Sequence, residues 1–151
     1  MNKSVKTPCI GVCSTVFGDD VCRGCKRFQH EVIQWNSYSD YEKGSVLNRL
    51  EILKTQIMRS KVLISDENLL KEQLESLKIA FNSDTNAYCW VFDLFRHASQ
   101  SINNPSEFGF EIVSKETSDL LVLKKIIEEE LFELSEAHYQ RYFTLEDNLN
   151  A

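Results

Sequence analysis

The sequence predicts a mainly α protein, with an irregular four-cysteine knuckle at the N-terminus followed by a small helical bundle. Three observations predict it. Cys9, Cys13, Cys22 and Cys25, four of the five cysteines, fall within seventeen residues. Gly11, Gly18, Gly24 and Gly44 crowd the first third, where they read as tight turns, and only Gly109 lies beyond. The rest is rich in Leu, Glu and Lys, with apolar residues at helical spacing.

The elements follow in order. Residues 1–8 read as a loose tail and 9–27 as loop built around the cysteines. Residues 29–36 suit a short helix. Ser39 and Glu42 have the spacing of a capping box, in which each side chain satisfies the other's free backbone N–H. The helix they open places Val46, Leu50, Leu53 and Ile57 on one stripe. Ser65 is the next expected N-cap, and Leu70, Leu74, Leu77 and Phe81 repeat the stripe until Asn82-Ser83-Asp84 breaks it. Residues 87–95, AYCWVFDLF, are apolar almost all round. Asp93, Arg96 and His97 continue them without a turn signal, which favours a buried helix over a strand. Residues 99–107 read as loop, and 108–113 as a short strand. The last helix, from Asp119 to about Phe143, aligns Leu120, Leu123, Ile127, Leu131, Leu134 and His138, with Glu128, Glu129, Glu133 and Glu136 mostly off that stripe.

Composition excludes several classes. A chain of 151 residues, 42% hydrophobic, can bury a core without disulfides. Its net charge of −6 argues against a globally electrostatic nucleic-acid binder. The charge is uneven: residues 1–50 hold seven basic and five acidic residues, net +2, and residues 51–151 hold ten and eighteen, net −8. No run reaches the roughly 18 apolar residues of a membrane span. The opening MNKSVKTPCIGVC has no apolar stretch, so no secretory signal is expected.

The cysteine spacing is C-x3-C-x8-C-x2-C. Two close pairs joined by a short loop suit a tetrahedral thiolate site holding zinc or an iron–sulfur cluster. Gly11 and Gly24 sit inside the pairs, where they permit unusual backbone angles. Arg23, Lys26 and Arg27 flank the second pair and would offset the charge of four thiolates. Two disulfides, unliganded core thiols and a Cys22–Cys25 redox pair are the competing readings. The missing signal, the polar surroundings and the missing βαβ pattern count against them in turn. The domain reading is a metal-binding domain with its capping helix over residues 1–60, and an acidic helical domain over 61–151.

At these residues the sequence resembles a known family. Thr7-Pro8-Cys9-Ile10-Gly11-Val12-Cys13, Cys22-Arg23-Gly24-Cys25-Lys26-Arg27, Glu31-Val32-Ile33-Gln34-Trp35 and Ser39-Asp40-Tyr41-Glu42-Lys43 are similar to the small bacterial domain of unknown function described as a predicted Fe-S protein. Its pattern is roughly P-C-x-G-x-C, C-x-G-C-x-R, then E-[IV]-x-x-W. The likeness covers about residues 7–55, with Phe28 where that family usually has Thr. It implies a bacterial, cytoplasmic protein with Cys9, Cys13, Cys22 and Cys25 as metal ligands, and it tips the expectation from zinc toward an iron–sulfur cluster. It implies no reaction.

Other residues look chemical and have plainer readings. Trp35 is expected as a hydrophobic lid on the knuckle. His30 is expected outside the ligand set, His97 and His138 as ordinary helix residues, and Cys89 as a buried apolar thiol. Glu-x-x-His is absent, which disfavours a di-iron bundle. No P-loop, GxGxxG, HExxH or GxSxG is present, so nothing positive points to an enzyme. The expected function is a metal-binding protein with a structural, sensing or electron-transfer role, whose acidic helices meet a protein partner. A zinc knuckle serving as a protein-interaction module is the alternative. Nucleic-acid contact through Arg23, Lys26, Arg27 and Lys3 or Lys6 ranks below both.

Overall fold

The computed structural model describes residues 6–150, with side chains described to residue 144. The first five residues, Lys3 among them, lie outside the described residues. The chain is mainly helical: α1 (Gln29–Gln34), α2 (Asp40–Arg59), α3 (Glu67–Ser76), α4 (Ala87–Ala98) and α5 (Leu120–Asn150) carry it. Strands β1 (Val62–Ile64) and β2 (Phe110–Ile112) form a two-stranded antiparallel sheet, with Leu63 opposite Glu111. None of the described helices is long and apolar enough to cross a membrane. The chain divides into two compact units, Met1–Leu53 with Leu131–Ala151, and Lys54–Glu130.

In the first unit, α1 begins where Glu31 turns its carboxylate back onto the Phe28 N–H at 2.8 Å. The expected capping box opens α2: Ser39 N–H donates to Glu42 Oε1 at 3.1 Å and Glu42 N–H to Ser39 Oγ at 3.2 Å. Trp35 is buried against Val46 and Leu50, with Tyr38 and Leu47 beside them. An aromatic cluster joins the cysteine segment to α5, the Phe28 and Tyr139 rings meeting edge-on at 5.2 Å.

In the second unit, Asp66 caps α3 by accepting the Leu69 N–H at 3.0 Å. The expected cap, Ser65, instead gives its hydroxyl to the Gly109 carbonyl. That carbonyl also takes the Ser65 and Asp66 N–H groups. Gly109 has φ +78°, and a Cβ there would stand 2.2 Å from the Asp66 oxygen. Segment 87–98 is a helix, as expected, with Val91, Leu94 and Phe95 buried. Asn86 caps it, accepting N–H from Tyr88 and Cys89.

Several expectations are corrected. The strand at 62–64 had no expectation. The helix α3 stops at Ser76, leaving Leu77 exposed, while Phe81 packs from the following loop on Trp90 at 5.4 Å. Met58 is buried in α2 where Ile57 was expected. In α5 the buried positions step by four through Leu123, Ile127, Leu131 and Ser135, so His138 falls on the exposed side. Ser135 tolerates full burial because its hydroxyl bonds the Leu131 carbonyl at 2.7 Å. Residues 99–107 contain two short 3₁₀ turns, Ser99–Ser101 and Pro105–Phe108.

Candidate metal centre

The cysteine segment is two loops clasped together. Residues 9–13 form the first, where Gly11 (φ +89°) turns the chain so that its N–H points at the Cys9 sulfur at 3.4 Å. A 3₁₀ turn, Ser14–Phe17, follows. The second loop is a tight hairpin. Val21 and Phe28 form an antiparallel bridge, Cys22 N–H donates to the Arg27 carbonyl at 2.9 Å, and Lys26 N–H to the Cys22 carbonyl at 2.8 Å.

Three contacts hold the loops to each other. The Cys22 thiol donates to the Val12 carbonyl at 3.3 Å, and Arg23 N–H to Ser14 Oγ at 2.8 Å. At Gly24, a Cβ would come within 2.5 Å of the Val12 oxygen and 3.1 Å of Ile10. The glycine inside Cys22–Cys25 therefore serves close approach rather than an unusual backbone angle. The left-handed residue of this loop is Lys26, φ 66°.

The four thiols differ in exposure. Cys22 and Cys25 are buried, Cys13 is half-buried and Cys9 is exposed; none is in a disulfide. Cys13 Sγ lies 3.1 Å from the Thr15 hydroxyl. Among the described residues no three His, Cys, Asp or Glu side chains converge to hold an ion. The structure thus brings together the two loops and the second cysteine pair, and does not gather three sulfurs at one point.

Residues 7–54 match the model of a family described as a protein of unknown function (DUF1289). That span is the one carrying the resemblance. No curated protein and no solved structure matches the chain.

The chemistry of the matched segment suits thiolate ligation. Burial works against ionisation of Cys22, but backbone N–H groups of Cys25, Ser14 and Gly24 aimed at its sulfur outweigh it and hold the thiol below its ordinary pKa. Burial dominates at Cys25 and pushes its thiol up, although Arg27 offsets part of the penalty by donating Nε to the sulfur at 3.2 Å. The donor set, soft sulfur ringed by N–H groups and a cation, fits zinc or an iron–sulfur cluster equally.

The flanking cations are less alike than their sequence adjacency suggests. Arg27 is 4% exposed and lies 4.8 Å over the Trp35 ring. Lys26, 1% exposed, gives its ammonium to the carbonyls of Arg23 and Gly24. Arg23 reaches outward to Asp19 at 3.5 Å and over the Phe132 ring at 4.1 Å. Lys26 and Arg27 are therefore interior, which withdraws two cations from the basic patch a nucleic acid would need. Burial of Lys26 was invisible in sequence, because its neighbours give no apolar period.

Trp35 is buried beside the segment, as expected of a lid. His30 stacks on Tyr142 at 5.9 Å with Nδ1 buried and unpartnered. His97 and His138 are exposed helix residues. Cys89 is buried in α4, its sulfur 3.6 Å from the Thr55 hydroxyl.

Proposed function

We propose that this chain is a small cytoplasmic metal-binding protein in which Cys9, Cys13, Cys22 and Cys25 hold an iron–sulfur cluster. The observation that carries the reading is the clasp itself. Both cysteine loops meet at Gly24, where the Cys22 thiol reaches the Val12 carbonyl of the first loop, and backbone hydrogen bonding holds that thiol below its ordinary pKa, which favours a thiolate ligand. Arg27 supplies positive charge at Cys25, where ligand sulfurs would leave a net negative centre. A cluster there would supply a one-electron couple, and the role is structural, sensing or electron-transferring. The acidic helices would meet a protein partner.

Zinc is the second reading, because an all-thiolate site of this spacing closes on it equally well. It makes the segment a structural protein-interaction module. Protein purified without oxygen separates the two. Iron and acid-labile sulfide near stoichiometry, with broad absorbance on the order of 400 nm, support the cluster. One zinc per chain without colour supports the alternative. Protein that folds fully without metal, and takes up neither, overturns both.

A further inference from the structure

Beside the cysteine segment lies an open cleft of about 200 Å³, comparable to one long side chain. Its walls are aromatic, formed by Phe28, Tyr38, Tyr41 and Tyr142. Three charged side chains line it: Glu31, Glu42 and Arg49. Arg49 turns inward. Its terminal nitrogens grip the two Glu31 oxygens at 2.7 and 2.5 Å, its Nε is buried without a hydrogen-bond partner, and its guanidinium covers the Phe28 ring at 3.9 Å. Glu31 is thereby matched. Glu42 is not: its carboxylate accepts only the neutral Ser39 N–H, and among the described residues it has no ion pair.

The cleft therefore carries one exposed carboxylate with no ion pair among the described residues, together with His30 and several ring faces whose quadrupoles present negative potential. The Tyr38 phenol registers this field. Burial, then Glu31 and Glu42, push its pKa up, and Arg49 opposes them only in part. An anion would find repulsion at Glu42, and an Arg49 whose terminal nitrogens are held by Glu31 and whose Nε is buried.

We propose that this cleft binds a small organic cation, an alkylammonium or guanidinium group, between the tyrosine rings and Glu42. The site goes beyond the metal reading and does not depend on it.

The test titrates the full chain with butylammonium and, separately, with N-acetyl-argininamide, following tyrosine ring signals by NMR. Saturable shifts are expected, with dissociation constants on the order of 1–10 mM for an exposed cation–ring site. Glu42→Gln keeps an oxygen for the Ser39 N–H and should weaken binding roughly tenfold by removing the charge. Tyr41→Leu, at an 84% exposed position, should weaken it with unchanged circular dichroism. Tighter binding of the amino-acid amide supports a partner's side chain as occupant, and tighter binding of butylammonium a free amine. Shifts that do not saturate, an equal response to neutral N-acetyl-norleucinamide, saturation by inorganic phosphate, or unchanged affinity in Glu42→Gln would each overturn the proposal.

Discussion

Arg49 and Glu31, eighteen residues apart, form a two-pronged ion pair that ties α2 to the start of α1. Glu31 is 5% exposed and also holds the Phe28 N–H, so one carboxylate caps a helix and fixes where it lies. Arg49→Met removes its cation and leaves the carboxylate buried. The expected cost is about 2–4 kcal/mol, measured by urea unfolding. Glu31→Gln in the same background should recover part of that loss; a loss that simply adds would show that the two residues do not act together.

Metal retention should separate the cysteines. Cys22→Ser is expected to lose the metal of the purified protein, while Cys89→Ser keeps it. Gly24→Ala carries a Cβ into the Val12 carbonyl and should lower metal content without touching a sulfur. Elemental analysis of the three variants reads this directly. Full metal in Cys22→Ser would remove that residue from the ligand set.

Lys61 is 3% exposed and gives its ammonium to Glu116 and Glu130, each at 2.9 Å. Burial alone would lower its pKa, but the hydrogen bonds and charges of the two glutamates prevail and raise it above 10.5. A raised folded pKa gives stability that is complete below the unfolded value and is lost as pH climbs through the folded one. The stability difference between the wild type and Lys61→Met should therefore stay level from neutral pH up to the unfolded value of 10.5, then shrink above it. A difference that shrinks already near neutrality would contradict this.

Asp93 follows the opposite sign. Burial raises its carboxyl above 3.8, with Lys54, Arg96 and His97 opposing. Its ionised form thus costs stability at neutral pH, and that cost disappears as pH falls through the folded pKa. Asp93→Asn should be more stable than wild type at neutral pH, with the advantage fading toward acid. Thermal melts across pH would show it.

Gly109→Ala should be among the more damaging single-methyl changes. It combines a left-handed φ with a collision against the Asp66 carbonyl, so a loss of about 2–3 kcal/mol is expected in urea unfolding.

Much of the fold was legible because it is local. The Ser39–Glu42 box and the helical reading of 87–95 depend on residues a turn apart, and both are present. Misreadings came where two local choices differ little. Ser65 and Asp66 both suit a cap, and the Gly109 carbonyl takes Ser65. Ile57 and Met58 both suit burial, and packing picks Met58. The strand at 62–64 is three residues long and meets its partner at 110–112. Neither hydrophobic period nor turn signals can announce a pairing that distant.

For the candidate site, the amino-acid order alone determined the donor chemistry: four cysteines in two close pairs, glycines within them and cations beside them. Those are properties of residue type and spacing. Tertiary structure decided what each neighbour does. It set Gly24 against the Val12 carbonyl, buried Lys26 and Arg27 while turning Arg23 outward, and matched Glu31 with Arg49 while giving Glu42 no ion pair among the described residues. Charge and contact depend on distances through space, and no local pattern encodes which of two like residues the packing will enclose.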